Sequence, residues 1–197
     1  MGHEGALPIA EKLAAVRIWP IPCNSTDVKS FLGLCGFYQR FVTDYATVAA
    51  PLTDLMKKHR DWHWGEAENA AFEELKRRLM KHPVLIVQDL SKPLIVHTDA
   101  SDVGLGATLS QHEENGDIRL VTCRSRKLSP AEKNYPVHEK EMLALVDSLE
   151  AWRHYLLGAE VHVYTDNSAL RYLQKNPRPA PRQIRWLEKL QAYNLNE

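Results

Sequence analysis

The stretch LIVHTDASDVGLGATLSQ, residues 94–111, decides how the second half of the chain folds. Its opening, Leu94 to Thr98, is apolar and β-favouring, which predicts a strand that carries Asp99 at its end. A second strand is predicted almost at once, from about Val103, and Ala100, Ser101, Gly104 and Gly106 leave room around the carboxylate. Asp99 is then either a hairpin turn residue or an acid held in place for chemistry, and spacing alone leaves both readings open.

Around this stretch the pattern changes once. Up to about residue 83 the chain reads as helices punctuated by prolines: 9–19, stopping before Pro20 and Pro22; a segment capped by Asn24, Ser25 or Thr26 that buries Phe31, Leu34, Cys35 and Tyr38; 45–58, kinked or restarted at Pro51; and 66–81. Beyond it, PVLIV, PLIVHTD, GLGATLSQ and IRLVTCRS read as strands, with ENGD as hairpin chemistry. A long helix over 138–157 follows, then the strand EVHVYTD, then short helices at NSALRYLQK and PRQIRWLEKLQAYN. The order β-β-β-α-β-α is mixed α/β.

Composition excludes several classes. The 197 residues are 44% hydrophobic and 25% charged, ordinary for a globular protein with room for a proper core. Lys+Arg and Asp+Glu balance at 25 each, so net charge points to no partner. Three cysteines, Cys23, Cys35 and Cys123, have neither the number nor the spacing of a disulfide framework or zinc site. No apolar run approaches a membrane span, and the N-terminus lacks the pattern of a signal peptide, so an intracellular protein, cytoplasmic or nuclear, without membrane contact is expected.

Asp166 closes a second strand-like run, in VHVYTDN, as Asp99 closes the first. A third acid would have to come from the intervening helix, whose buried stripe is Met142, Leu145, Val146, Leu149, Trp152 and Leu156. Glu139 and Glu141 flank that stripe on opposite sides, and helical spacing does not choose between them. Glu150 lies too far down the helix to meet Asp99. Two strand carboxylates and a helix carboxylate make a hard-oxygen set suited to Mg²⁺, which would relieve their mutual repulsion.

The runs TDASDVGLGATLSQ, SRKLSPAEKNYPVHEKEMLALVDSLEAWRHYLLG and VYTDNSALRYL closely resemble the ribonuclease H domain of gypsy-type LTR-retrotransposon Pol polyproteins. The upstream AVRIWPIPCNSTDVKSFLGLCGFYQRFV, APLTDLMKK and AFEELKRRL resemble the thumb and connecting region of the same family's reverse transcriptase. The resemblance implies a ribonuclease H-like mixed sheet flanked by helices (84–197), preceded by a small helical thumb-like domain (1–83). It also implies a ribonuclease H-type endonuclease that hydrolyses the RNA strand of RNA–DNA hybrids with two Mg²⁺ ions, Mn²⁺ being a substitute. Asp99 and Asp166 fall on the family's metal-binding acids, and Glu141-Met142-Leu143-Ala144 matches its Glu-x-x-Ala segment, which favours Glu141 over Glu139.

Hybrid recognition through phosphates and 2′-hydroxyls is expected to use Ser101, the Gly104 backbone, Arg124, Arg126, Lys127, Asn167 and Arg171. Residues 171–189 carry further bases at Lys175, Arg178, Arg182, Arg185 and Lys189 against the single acid Glu188. Three departures from the pattern stand out. The chain has no Tyr-x-Asp-Asp polymerase motif, so no polymerase activity is expected from it alone. Asn167 follows Asp166 where many relatives have His. The sequence also stops at QAYNLNE, so the last strand and helix, with a fourth metal-binding acid, are expected to be missing. Loss of these would leave a sheet edge for the polymerase portion or another protein to cover. The alternative function is a catalytically weakened or inactive retroelement-derived protein that acts by binding nucleic acid or protein.

Overall fold

The computed structural model describes residues 15–58, 61–81, 85–165 and 178–196. Asn24 opens helix α1 (Ser25–Phe37), its side-chain oxygen accepting the Asp27 N–H at 3.0 Å as an N-cap should. Two short helices follow, α2 (Tyr45–Val48) and α3 (Ala50–Asp54), with Pro51 in the first turn of the latter, where its missing N–H costs nothing. Helix α4 (Glu66–Met80) begins where the Gly65 N–H donates to Glu68 at 3.0 Å. Phe31, Phe72, Leu52, Leu75 and Leu79 fill a core between these helices.

Five strands follow the order β3-β2-β1-β4-β5. β1 (Leu94–Ala100), β2 (Gly104–His112) and β3 (Ile118–Lys127) form an antiparallel meander. The hairpin between β2 and β3 turns through Gly116 at φ +86°, a conformation glycine adopts without strain. Helix α5 (Val137–Ala151) and the short α6 (Arg153–Leu156) cross over to β4 (Glu160–Tyr164), parallel to β1. Helix α7 (Pro181–Leu190) then returns the chain to β5 (Asn194–Asn196), parallel to β4. The result is the mixed α/β, ribonuclease H-like fold.

The sheet has two unlike faces. Leu94 and Val96 of β1, with Leu105, Ala107 and Leu109 of β2, point toward α5 and pack on Met142, Leu145, Val146 and Leu149. The whole predicted helix stripe, Trp152 and Leu156 included, is buried. On the other face, the N-terminal helices lie against β3. The Ala46 N–H donates to Ser125 Oγ at 2.9 Å, and Lys127 reaches the Ala50 carbonyl and Asp54, each at 3.3 Å, and the Thr53 hydroxyl.

Three expectations need correction. PVLIV forms no strand among its described residues: Leu85 makes an isolated bridge, and the Ile86 N–H donates to Leu120 O at 2.9 Å. The run is apolar because Leu85 belongs to the N-terminal core rather than to a sheet. The helix expected over 138–157 breaks at Trp152, leaving α5 and α6 as separate pieces. The last strand expected to be missing is present in part, since Asn194–Asn196 pairs with Glu160–His162. Of the helix predicted over 9–19, only residues 15–17 are helical within the described span, and NSALRYLQK lies outside the described residues.

Candidate active site

Asp99 is the penultimate residue of β1, directly opposite Gly106 of β2. Strand alternation puts it with His97 on the face away from α5. There it lines a cleft of about 320 Å³ whose far wall is Thr43 and Asp44, and whose floor is His97, Thr98, Gly106, Ala107 and Thr108. Asp44 stands in the left-handed region at φ 53°. Its Oδ1 lies 2.7 Å from where a Cβ on Gly106 would sit, so a glycine there lets the two walls approach.

Several other acids of this half of the chain are neutralised by paired cations. Asp147 of α5 accepts from Arg124 Nε at 2.6 Å and from Arg126 Nε at 2.7 Å. Glu132 takes the other end of Arg126 at 2.9 and 3.0 Å, and the Arg126 hydrogen bonds hold its carboxyl down at about 2. Asp102 pairs with Lys140 at 2.7 Å. Asp99 differs, because no hydrogen bond or ion pair engages its carboxylate among the described residues.

The two helix acids separate clearly. Glu139 is buried, accepting from Gln183 Nε2 at 2.8 Å and forming an ion pair with Arg182 at 2.5 Å. Arg182 in turn lies 4.2 Å over the Tyr135 ring. Glu139 therefore fastens α7 to α5. Glu141 is also buried, in the part of α5 beside Lys140, whose ion pair with Asp102 joins the helix to the β1–β2 turn. Among the described residues, no group of three or more His, Cys, Asp or Glu side chains is arranged to hold a metal ion. Asp166, Asn167, Arg171 and Lys175 lie outside the described residues.

The expected substrate contacts fare differently. Arg124, Arg126 and Lys127 are held by the protein itself, because Asp147, Glu132 and Asp54 supply carboxylates within salt-bridge distance. Ser101 builds the β1–β2 turn: its hydroxyl donates to Gly104 O and accepts from Gly104 N–H, both at 3.0 Å. A Cβ on Gly104 would lie 2.7 Å from the Arg126 carbonyl, so this glycine serves close strand packing. Of the later bases, Arg182 pairs with Glu139 and Lys189 with Glu150. Sequence reasoning missed Thr43 and Asp44 as cleft residues. The left-handed turn that aims them at β2 leaves little trace in the run FVTDYA.

Residues 89–193 match the family described as an RNase H-like domain found in reverse transcriptase. The Retrovirus-related Pol polyprotein from transposon 297 of Drosophila melanogaster is 36% identical over 200 residues, covering 99% of this chain and 18% of that polyprotein. The Transposon Tf2-3 polyprotein of Schizosaccharomyces pombe is 35% identical over 199 residues, covering 99% of this chain and 15% of its own length. The chain thus spans less than a fifth of these curated relatives. A foamy viral protease-reverse transcriptase solved in complex with an RNA/DNA hybrid superimposes with TM-score 0.78 at 22% identity, over 98% of this chain and 27% of that one. The same enzyme with dsDNA gives TM-score 0.77 at 22% identity, over 95% of this chain and 40% of that one.

Proposed function

We propose, from the premise that the chain belongs to the family of RNase H-like domains found in reverse transcriptase, that it hydrolyses the RNA strand of RNA–DNA hybrids. The observation that carries this reading is Asp99: an acid without a counter-charge among the described residues, lining a cleft at the end of the central strand. Its carboxylate chemistry fits a hard divalent cation. Asp99, Glu141 and Asp166 would hold Mg²⁺ or Mn²⁺, which when bound polarises the scissile phosphate and lowers the pKa of water. The residues themselves fix geometry. Asp99 is held by the β1 ladder and the Ser101 turn, Glu141 by the buried face of α5.

The partner in this reading is an RNA–DNA hybrid, as in the foamy viral complex, and the polymerase portion of a longer polyprotein is a second. Residues 1–83 act as the thumb- or connection-like part and 84–197 as the ribonuclease H-like part, a division supported by the two buried clusters, although Leu85 joins the N-terminal one. The test is cleavage of a hybrid labelled in its RNA strand, in Mg²⁺ and Mn²⁺, comparing the parent chain with Asp99→Asn. A fall of roughly 100-fold or more is expected. Equal rates would sink the catalytic reading and leave binding without cutting.

A further inference from the structure

The cleft at Asp99 is built by both halves of the chain. Thr43 and Asp44, from the N-terminal helical part, face Asp99 and Gly106 across it. Asp44 Oδ1 stands 2.7 Å from where a Gly106 Cβ would lie, and Gly106 is registered directly opposite Asp99. Paired positions of an antiparallel ladder have Cβ atoms about 4.5–5.5 Å apart, so the Asp44 carboxylate lies within roughly 8 Å of the Asp99 Cβ. The segment bearing Asp44 is clamped from two sides. Arg78 of α4 donates to the Thr43 carbonyl at 2.7 Å, and the Ala46 N–H donates to Ser125 Oγ of β3 at 2.9 Å. Asp44 itself is exposed, and no hydrogen bond or ion pair engages its carboxylate among the described residues.

Among the described residues the cleft lining contains no lysine or arginine, so it does not grip phosphate by charge. It offers a nucleic acid acceptor oxygens instead, and the donor that RNA carries and DNA lacks is the ribose 2′-hydroxyl. We propose that Asp44 is a specificity-determining residue: its carboxylate accepts a hydrogen bond from the 2′-hydroxyl of the ribose beside the scissile phosphate, favouring an RNA strand over a DNA strand in the cleft. This inference rests on the functional reading above, which puts the scissile phosphate at Asp99. A hydroxyl donating to a carboxylate forms a charge-assisted bond, stronger than a neutral one. Repulsion between Asp44 and the phosphate is offset in that reading by the cation at Asp99. The helical half thereby takes a direct part in the choice of substrate.

The test uses the full 197-residue chain as parent, Asp44→Gly, Asp44→Asn and Asp99→Asn. Glycine and asparagine both accept the left-handed backbone of Asp44, φ 53°, so neither is expected to move Tm by more than about 3 °C. Substrates are hybrids with a short ribonucleotide tract, either all-ribose or with a single 2′-deoxynucleotide on the 5′ side of a mapped cleavage position. Removing that hydroxyl should slow the parent roughly 10-fold or more. Asp44→Gly should be slower on the all-ribose hybrid by a similar factor, and should then lose little more from the 2′-deoxy substitution. Asp44→Asn, which keeps one acceptor oxygen, should lie between.

Losses that simply multiply would mean that Asp44 and the hydroxyl do not interact, and would overturn the proposal. Faster cleavage by Asp44→Gly would make Asp44 an obstacle and would overturn it too. In either case, a parent that cleaves hybrid and an Asp99→Asn variant that does not leave the functional reading standing. Should Asp44→Gly unfold, the same comparison on Asp44→Asn decides, and multiplying losses there overturn the proposal. A parent that cleaves no hybrid would bring down the functional reading, and this proposal with it.

Discussion

Gln183 Nε2 donates to Glu139 Oε1 at 2.8 Å, and through this bond the last helix is locked to the one that carries both candidate acids. The Arg182 ion pair completes the lock. Two glutamates two residues apart thus have unlike surroundings, one tied into α7 and the other beside the Lys140–Asp102 seam. Glu139→Ala should lower folding stability by about 1–3 kcal/mol, because it leaves Gln183 and Arg182 short of a partner. Glu141→Gln should instead remove metal-dependent cleavage by roughly 100-fold. Urea denaturation and the hybrid assay on both variants would separate the roles, and a reversed pattern would refute this division.

Gly104 and Gly106 should respond differently to a single methyl group. On Gly104 the new Cβ meets the Arg126 backbone carbonyl at 2.7 Å, and on Gly106 it meets the Asp44 carboxylate at the same distance. A strand carbonyl cannot move without its ladder, whereas a side-chain carboxylate can rotate away. Gly104→Ala is therefore expected to cost about 1–3 kcal/mol, and Gly106→Ala clearly less. Equal costs in chemical denaturation would contradict the described close approach.

Thiol chemistry offers a check on the packing between sheet and N-terminal helices. Burial pushes the Cys35 thiol up to about 12; burial, and then the Asp44 charge, does the same to Cys123. Cys23 is exposed. A native chain should release one equivalent of chromophore rapidly from Ellman's reagent, and three after denaturation. Rapid native labelling of Cys123 would mean that the N-terminal helices do not stay against β3.

Acid should loosen the β3–α5 seam in a defined window. The Glu132 carboxyl lies at about 2, below its ordinary 4.5, chiefly through the Arg126 hydrogen bonds. A depressed carboxyl pKa stabilises the fold above the unfolded value, and that contribution is lost as pH falls through the folded one. The parent should lose stability between pH 4.5 and about 2 more steeply than Glu132→Gln. Parallel Tm-versus-pH curves would argue against the pairing.

Much of this fold could be read from the chain because its strongest signals are local. The alternation in 94–111 marks β1 and β2, and the apolar stripe from Met142 to Leu156 marks the crossover helix, although nothing in the sequence announces its break at Trp152. The strand Asn-Leu-Asn at 194–196 has one apolar side chain, so its extended form depends on docking beside β4. Arg124 and Arg126 show the limit for sites. Alternating cations on a strand look alike whether they await phosphate or Asp147, and that carboxylate lies on a helix more than 20 residues away. Helical spacing left Glu139 and Glu141 level; only the arrival of α7 from distant sequence distinguishes their environments.

β3 is the outermost strand of the sheet, yet Ile86 takes a carbonyl of Leu120, Ala46 a hydroxyl of Ser125, and Lys127 is anchored in α3. An edge strand is the natural recruiting point for a foreign chain. The residues that guard this one come from the N-terminal helices and from the segment that precedes β1. A fragment beginning near Pro93 would carry β1 and Asp99 intact but lose its chaperoned border, and should oligomerise with rising concentration where the longer chain stays dispersed.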